Sequence, residues 1–287
     1  MPDNFAVLIL SHGRPDNVLT YDSLRSAGFS GRVVIVVDDL DPTVPEYRKR
    51  YGNEVFVFDK QATADETDLG DNFGGLSTVL IARNACYKIA EEIGVQYFMV
   101  LDDDYSEFHY RYGADNKYWA RRIFQLDTVI GSMLEFVKTA PVSCLCMLQG
   151  GDYIGGAENR YSKSITLIRK AMNSFLCNTE RPVEFLGRMN DDVNTYVVRG
   201  NTGALMMSTT QVSLNQALTQ TSTGGLTGMY LELGTYVKSF YTVMMQPSSV
   251  KISTMGRYDM RIHHSIRWKN TVPMILSEDV RKPRPAA

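Results

Sequence analysis

An apolar run that ends abruptly in three acids, at residues 95–104, is the feature of the sequence that most constrains the fold. The run is too short to cross a membrane and is rich in β-branched and aromatic residues, which predicts a buried strand. In an open α/β sheet, ligands bind at the carboxyl ends of the strands. Carboxylates at that point should therefore face a crevice.

Asp102 and Asp104 are predicted to converge on this crevice. Alternate residues of an extended chain point to the same side, so Asp103 should point away. Two converging carboxylates are suited to Mg²⁺ or Mn²⁺ held jointly with substrate phosphates. The alternative is that the acids only solvate the end of the strand or cap the next helix.

Short apolar runs alternate with amphipathic segments along the chain, which is typical of an α/β fold with a mostly parallel sheet flanked by helices. With 287 residues, 44% of them hydrophobic, the chain can bury a large core. Strands are predicted at 5–10, 32–37, 142–148, 204–208, 241–245 and 250–253, and helices from about residue 17, at 76–93, 124–137, 191–200 and 230–240.

Two turns after predicted strands carry polar side chains. Ser11, His12 and Arg14 follow the first strand, and Asp38 and Asp39 end the second. A strand-to-helix turn with backbone N–H groups and one cation can receive a phosphate or nucleotide. Acids that recur at two neighbouring strand ends favour a polar site over simple solvation.

Arg83 falls near the middle of the apolar stripe of the helix at 76–93. A buried guanidinium needs an anionic partner, which would be an acid from the strand ends or a bound phosphate. A purely structural ion pair is the alternative. Asn84, on the flank of the same stripe, could reach the same crevice.

A second acidic cluster lies at Asn190, Asp191 and Asp192. Asn190 is a favourable N-cap, and acids in the first turn of a helix complement its dipole, which is the ordinary role of such residues. A carboxylate held there beside a substrate hydroxyl would instead make a general base.

The remaining segments leave their roles open. Residues 61–75 read as a mobile loop, 209–228 as a polar region of no assigned function, and 105–122 as aromatics interleaved with cations. That last stretch could stack on a base or sugar, or form the packed side of a loop and helix. His263 and His264 could supply a nitrogen ligand to a metal, although adjacent histidines are more often surface residues.

Charge and cysteine content narrow the class of protein. The formal charge of −2 argues against coating nucleic acid through bulk charge, but the chain from residue 251 onward carries +5 against −7 before it. The four cysteines lack zinc or redox spacing and read as buried free thiols. No apolar stretch reaches membrane-spanning length and no leader is visible, so we expect a soluble cytoplasmic protein.

Taken in order, these pieces resemble the GT-A class of nucleotide-sugar glycosyltransferases. Leu101-Asp102-Asp103-Asp104 looks like its DXD metal motif, and Asn190-Asp191-Asp192-Val193 looks like its acidic "ED" motif, with Asp191 where Glu is usual. The Asp-Asp-Asp-Tyr form and the Arg83-Asn84 pair are most similar to the TET/J-binding-protein-associated glycosyltransferases, which are encoded mainly by phages. The resemblance covers about residues 5 to 210.

The resemblance implies a nucleotide-sugar-binding and catalytic region over 1–208 and a C-terminal part of the same domain, on the acceptor side, over 209–287. It implies a UDP-sugar donor and Mn²⁺ or Mg²⁺. The residues that would bind the donor are Ser11, His12, Arg14, Asp38, Asp39, Arg83, Asn84, Asp102 and Asp103, and those that would bind the metal are Asp102, Asp104, His263 and His264.

Asp192 or Asp191 would then be the base of an inverting transfer. The implied acceptor is a 5-hydroxymethylpyrimidine, such as 5-hydroxymethylcytosine, in double-stranded DNA, which would place a phage-encoded enzyme in the host cytoplasm. Three alternatives stay open: a protein, lipid or glycan acceptor; a sugar-1-phosphate nucleotidylyltransferase, whose glycine-rich first loop is absent; and a non-catalytic nucleotide- or DNA-binding module.

Overall fold

A mixed sheet of nine strands forms the centre of the molecule. The computed structural model describes residues 1–153, 155–158, 171–216, 234, 236–256 and 260–278. The strands are β1 (Phe5–Leu10), β2 (Arg32–Asp38), β3 (Val55–Phe58), β4 (Tyr97–Asp102), β5 (Tyr105–Tyr112), β6 (Tyr118–Arg122), β7 (Cys144–Gln149), β8 (Phe175–Asn178) and β9 (Met206–Gln216).

The spatial order of the strands is β3-β2-β1-β4-β8-β7-β9-β5-β6. All of them except β5 and β8 run in the same direction. The prediction of an α/β fold with a mostly parallel sheet is therefore confirmed. A separate antiparallel pair consists of β10 (Val250–Met255) and β11 (Arg261–Ile266).

The helices of the described residues pack on both faces of the large sheet. They are α1 (Leu19–Ser26), α2 (Val44–Tyr51), α3 (Lys60–Asp65), α4 (Val79–Glu92), α5 (Leu126–Thr139), α6 (Asp191–Asn201), α7 (Val237–Met245) and α8 (Trp268–Thr271). No helix within the described part of the chain is long and apolar enough to cross a membrane.

Two hydrophobic cores follow from the alternation of side chains along the central strands. In β1, Phe5, Val7 and Ile9 face the core beneath α1, α2 and α5, while Ala6 and Leu8 face the core beneath α4 and α6. A strand buried on both faces reads as a continuous apolar run, which is why β1 has no polar residue. All four cysteines are buried and free, as predicted.

The carboxyl ends of β2, β1 and β4 meet at one edge of the sheet. Leu10 pairs with Val36 on one side and with Asp102 on the other. The segments that follow these three strands therefore leave the sheet side by side, and this arrangement creates the candidate site.

Three predicted segments differ in the structure. Residues 105–122, read as stacking aromatics or as a loop and helix, form the β5–β6 hairpin. Residues 241–245, predicted as a strand, belong to helix α7. The predicted loop at 61–75 begins with helix α3, which is capped by the Asp59 carboxylate accepting from Ala62 N–H at 2.8 Å.

The boundary drawn after residue 208 falls inside β9, so the first part of the 209–228 region belongs to the large sheet. The rest of that region, most of 230–235 and the basic tail from residue 279 lie outside the described residues. Strand β8, which pairs antiparallel with both β4 and β7, was not predicted.

Candidate active site

A cavity of about 400 Å³ lies at the carboxyl ends of β1, β2 and β4. Its volume is in the range of small-ligand sites. It is lined by Leu10, Ser11, His12, Arg14, Asp38, Phe58, Lys60, Leu76, Ser77, Thr78, Val79, Ala82, Asp102, Asp103 and Asp104. The acids that end β4 and the polar turns after β1 and β2 thus share one space.

The three acids after β4 are each fixed by a different part of the chain. Arg83 Nη2 of α4 donates to Asp102 Oδ1 at 3.1 Å. Ser11 Oγ donates to Asp103 Oδ2 at 2.6 Å, and Arg14 Nη1 lies 3.2 Å from Asp103 Oδ1. The partner of Asp104 is Gln216 at the end of β9, whose Nε2 donates at 3.0 Å.

Asp103 lines the cavity with its neighbours, which differs from the prediction that it points away. The extended conformation ends at Asp102, and residues 103 and 104 form a turn before β5 begins. The alternation of side chains stops where the strand stops, so it does not predict the direction of Asp103. Burial raises the pKa of Asp103, although Ser11 and Arg14 favour its charged form.

One of the two carboxylate oxygens of Asp104 has no hydrogen-bond partner among the described residues. Its Oδ1 is buried and finds no hydrogen-bond partner among the described residues, while Oδ2 accepts from Gln216. Burial, with the charge of Asp102 nearby, raises the pKa of Asp104 to about 6. A cation bound at Oδ1 would relieve both conditions.

A second charged group surrounds Asp38 on β2. His12 Nδ1 lies 2.7 Å from Asp38 Oδ2, and Lys60 Nζ lies 3.2 Å from the same oxygen. Burial opposes the charge of Asp38, but the hydrogen bond to His12 and the charge of Lys60 outweigh it and lower the pKa. The hydrogen bond that Asp38 accepts in turn raises the pKa of His12.

Two residues of this group were missed by the sequence analysis. Lys60 opens α3 within the segment read as a loop, and its backbone N–H is bound by the exposed Asp39 at 2.9 Å. Asp41 is buried and accepts from Gly13 N–H at 2.6 Å. Gly13 has φ +69°, a conformation that glycine adopts readily. The available sequence signal for Asp41 was its place as the third acid of the run Asp38-Asp39-Leu40-Asp41.

Arg83 joins the acid of β4 to the start of α6. It is 5% exposed, and its Nη1 lies 2.5 Å from Asp191 Oδ2. Burial opposes the charge of Arg83, but Asp191, Asp102 and the nearby Asp192 together raise its pKa. The prediction that this arginine needs an anionic partner is met by protein carboxylates, and the side chain does not line the cavity.

Asp191 and Asp192 differ in their surroundings. Asp191 is buried, and burial raises its pKa in spite of Arg83. Asp192 is half-buried. Asn190 does not cap α6 with its side chain; it has φ +54°, and its Nδ2 donates to Lys238 O at 2.9 Å.

Asn84 does not reach the crevice. Its Oδ1 accepts from Phe185 N–H at 2.8 Å and its Nδ2 donates to Phe185 O at 3.1 Å, which ties α4 to the segment before α6. Asn84 follows Arg83 by one residue, a rotation of about 100° on a helix. That rotation carries it to a different neighbour.

His263 and His264 do not line the cavity that Asp102 and Asp104 line. They lie on β11, which pairs with β10 and contacts α7, and their ring centroids are 4.3 Å apart. Among the residues that the structure describes, no group of three or more His, Cys, Asp and Glu side chains could hold a metal ion. The role of His263 and His264 as metal ligands stays a prediction of the sequence.

Arg188 holds the segment that leads into the cavity. Its side chain is fully buried and binds the Asp71 carboxylate through Nε and Nη2 at 3.0 to 3.1 Å. It also donates to Phe73 O at 2.7 Å and to Gly75 O. Tyr241 of α7 adds a hydrogen bond to Asp71 at 2.8 Å. The residues just before Leu76 are thus held by protein contacts.

Comparison with known proteins gives one family and several structures. The family model described as TET-Associated Glycosyltransferase matches residues 5–225. No curated protein matches the chain. Solved structures include Staphylococcus aureus TarS 1-349 in complex with UDP, with a TM-score of 0.46 and 12% identity over 84% of this chain and 64% of that one.

A second structure is the mannosyltransferase PcManGT from Pyrobaculum calidifontis in complex with GDP-Man and Mn²⁺. The TM-score is 0.49 and the identity 10%, over 85% of this chain and 63% of that one. The chain spans less than two thirds of the length of either structure.

Proposed function

Because the chain belongs to the TET-associated glycosyltransferase family, we propose that it transfers a sugar from a UDP-sugar to an acceptor hydroxyl with the help of a divalent metal ion. The observation that carries the proposal is that Arg14, Asp38 and Asp104, which follow or end three adjacent strands, line the same cavity. Cations for a diphosphate, an acceptor for a base and a carboxylate for a metal lie around one space.

The nucleoside end of the donor is assigned to the side of the cavity nearest β2. Asp38 lines it, and its Oδ1 is buried without a hydrogen-bond partner among the described residues. A buried acceptor of this kind is costly until a donor satisfies it. An N–H group of the uracil ring supplies one, while Arg14 and Lys60 line the same cavity as counter-charges for phosphates.

The metal is assigned to Asp104, with Asp102 beside it. The site fits a divalent ion because Asp104 Oδ1 is a buried carboxylate oxygen with no partner among the described residues. Mg²⁺ in particular is commonly held by one or two carboxylates together with substrate phosphates. A bound ion would supply electrostatic stabilisation of the charge that develops on the departing diphosphate.

Asp192 is the proposed general base. Asp191 Oδ2 is engaged by Arg83, whereas Asp192 is half-buried, adjacent in sequence and close enough to Arg83 to influence its charge. Asp192 would take the proton of the acceptor hydroxyl as the oxygen attacks the anomeric carbon and the bond from that carbon to the diphosphate breaks. Attack from the face opposite the leaving group inverts the anomeric centre.

The proposed acceptor is a 5-hydroxymethylpyrimidine base in double-stranded DNA. The support is the family description and the arginines and aromatic side chains of the β5–β6 hairpin, including Arg121 over the ring of Trp119. Protein, lipid and glycan acceptors are the competing outcomes. A phage source and a host-cytoplasm location remain expectations of the sequence resemblance.

The test is incubation of the purified chain with a panel of UDP-sugars and Mn²⁺, with and without a hydroxymethylated duplex. Release of UDP without acceptor and a mass increase of one sugar on the DNA are the expected results. Binding of UDP-sugars without turnover would favour a non-catalytic module. Release of UDP with no change in the mass of the DNA would support the proposed use of a UDP-sugar but reject DNA as the acceptor.

A further inference from the structure

Arg111 of β5 is a buried cation that no carboxylate neutralises within the described part of the chain. The residue is 8% exposed, and its Nε donates to Ser213 Oγ of β9 at 2.6 Å. Its guanidinium lies over the ring of Tyr153, 4.6 Å from the centroid. The two Nη groups have no acceptor among the described residues, yet neither is sealed from solvent.

Among the described residues, the other two arginines that are buried to this degree have acidic partners. Arg83 binds Asp191 and Asp102, and Arg188 binds Asp71. Burial of a guanidinium is costly unless the charge is paired, and among the residues that the structure describes Arg111 has no acidic partner.

A chain of contacts connects the guanidinium of Arg111 with the acid that we assign to the metal. A Cβ atom on Gly150 would lie 3.5 Å from Arg111 Nη2. The residue before it, Gln149, donates to Gln216 Oε1 at 3.3 Å, and Gln216 donates to Asp104. Two side-chain hydrogen bonds thus lead from the backbone beside Arg111 to Asp104.

Arg111 lies outside the donor cavity. The cavity is built on β2, β1 and β4, and Arg111 does not line it. In the sheet, β5 is separated from β4 by β8, β7 and β9. A donor diphosphate held by Arg14 and Lys60 would therefore leave Arg111 for a different anion.

We propose that Arg111, stacked on Tyr153, binds a backbone phosphate of the nucleic-acid acceptor. The planar fork of a guanidinium matches two oxygens of a phosphate, and a ring beneath it fixes its plane. Gly150 has no side chain beside Nη2. A Cβ atom at this position would lie too close to Asn215 Oδ1, so a larger residue would clash with Asn215. The inference rests on the proposed function and adds to it the contact that orients the acceptor.

The experiment measures binding of a fluorescent hydroxymethylated duplex to the full chain over a range of KCl concentrations. Arg111→Gln should weaken binding about tenfold and reduce the slope of log K against log salt by about one. The matched control is Arg48→Gln, which removes the same charge from the exposed face of α2 and should change neither quantity. UDP binding with Mn²⁺, measured by calorimetry, should be unchanged in both variants.

Arg111→Lys and Ser213→Ala provide the test if Arg111→Gln fails to fold. Lysine keeps the charge without the fork, and alanine removes the partner of Nε, so both should weaken duplex binding relative to the wild type while keeping the wild-type salt slope. Retention of wild-type duplex affinity and salt slope in all three variants would overturn the proposal. So would a wild-type protein that does not bind the duplex.

Two further results separate the sources of the phosphate. Loss of UDP affinity in Arg111→Gln would assign Arg111 to the donor, and weaker competition by inorganic phosphate with unchanged duplex binding would indicate a free-anion site; either overturns the proposal. UDP-sugar hydrolysis without acceptor should be normal in Arg111→Gln. Its absence from the wild type would instead contradict the proposed function.

Discussion

Arg83 and Asp191 form a buried ion pair 2.5 Å long between two helices that are 108 residues apart in the chain. Arg83 also binds Asp102, so the metal-motif acid and the start of α6 share one cation. We propose that this pair gives the two acids of α6 different tasks. Asp191 holds Arg83 and is assigned to structure, which leaves Asp192 for chemistry.

Replacing Arg83 with methionine should destabilise the fold by about 3 to 5 kcal/mol, because Asp191 would remain buried without its partner. The free energy of unfolding is measured by urea titration. Arg83→Lys keeps the charge and should lose less. A loss below about 1 kcal/mol in Arg83→Met, typical of an exposed pair, would contradict the structural role assigned to the ion pair.

Asp192→Asn should lower the rate of sugar transfer by about 10² to 10⁴ and leave donor binding intact, because a positioned base contributes that much. Asp191→Asn is the control, and it should lower the thermal midpoint more than Asp192→Asn does. Transfer rates and melting curves of both variants are compared. Near-normal turnover in Asp192→Asn would show that the base is elsewhere.

Asp104→Asn should abolish the Mn²⁺-dependent part of UDP binding, because it removes a carboxylate that would hold the ion. Calorimetry with and without Mn²⁺ measures this. Asp127→Asn, whose carboxylate accepts from Ser30 Oγ away from the cavity, provides an acid-to-amide control and should behave like the wild type. Equal effects of Mn²⁺ on UDP binding by Asp104→Asn and the wild type would sink the assignment.

His12 should titrate above its ordinary pKa of about 6.5, because Asp38 accepts a hydrogen bond from its ring. NMR titration measures the pKa directly, and Asp38→Asn should lower it. The raised pKa also fixes the sign of the effect on folding. The stabilising contribution of protonated His12 is present below the unfolded pKa and is lost as pH rises through the folded pKa. A His12 pKa unchanged by Asp38→Asn would refute this coupling.

Arg188→Met should release the segment from Asp71 to Gly75, since the side chain binds this segment at three residues. We expect faster proteolysis within 66–78 and a loss of at least about 2 kcal/mol of stability. Arg199→Met removes a more exposed pair with Glu184 and serves as the control. Identical cleavage patterns in the two variants would argue against this role for Arg188.

The sequence predicted those features that depend on the pattern within a single strand or helix. The ends of β1, β2 and β4 were predictable because a doubly buried parallel strand is uniformly apolar and stops at its first charged residues. Arg83 was predictable as a paired cation because it interrupts an apolar stripe. The sequence did not tell whether the partner of Arg83 is a protein carboxylate or a bound phosphate. The partner is Asp191, which lies 108 residues away in the chain, so no local spacing pattern relates the two residues.

The β5–β6 hairpin shows what hides a strand. Burial along β5 repeats at Tyr105, Phe108 and Arg111, every third residue, because its pairing is irregular between Tyr105 and Glu107 and between Tyr110 and Tyr112. A strand is recognised by a period of two, so these irregularities removed the signal. The strand prediction at 241–245 was wrong for another reason. β-Branched and aromatic residues favour strands only weakly, and side-chain packing can override that preference.

The partners of the three acids after β4 have a consequence for how the protein acquires activity. Asp103 meets Ser11 from 92 residues away, and Asp104 meets Gln216 from 112 residues away. A nascent chain that has emerged only as far as β8 would hold the entire acidic triplet but not the amide that restrains its last member. The ability to bind a nucleotide should therefore arise late in synthesis, after β9 has inserted between β7 and β5.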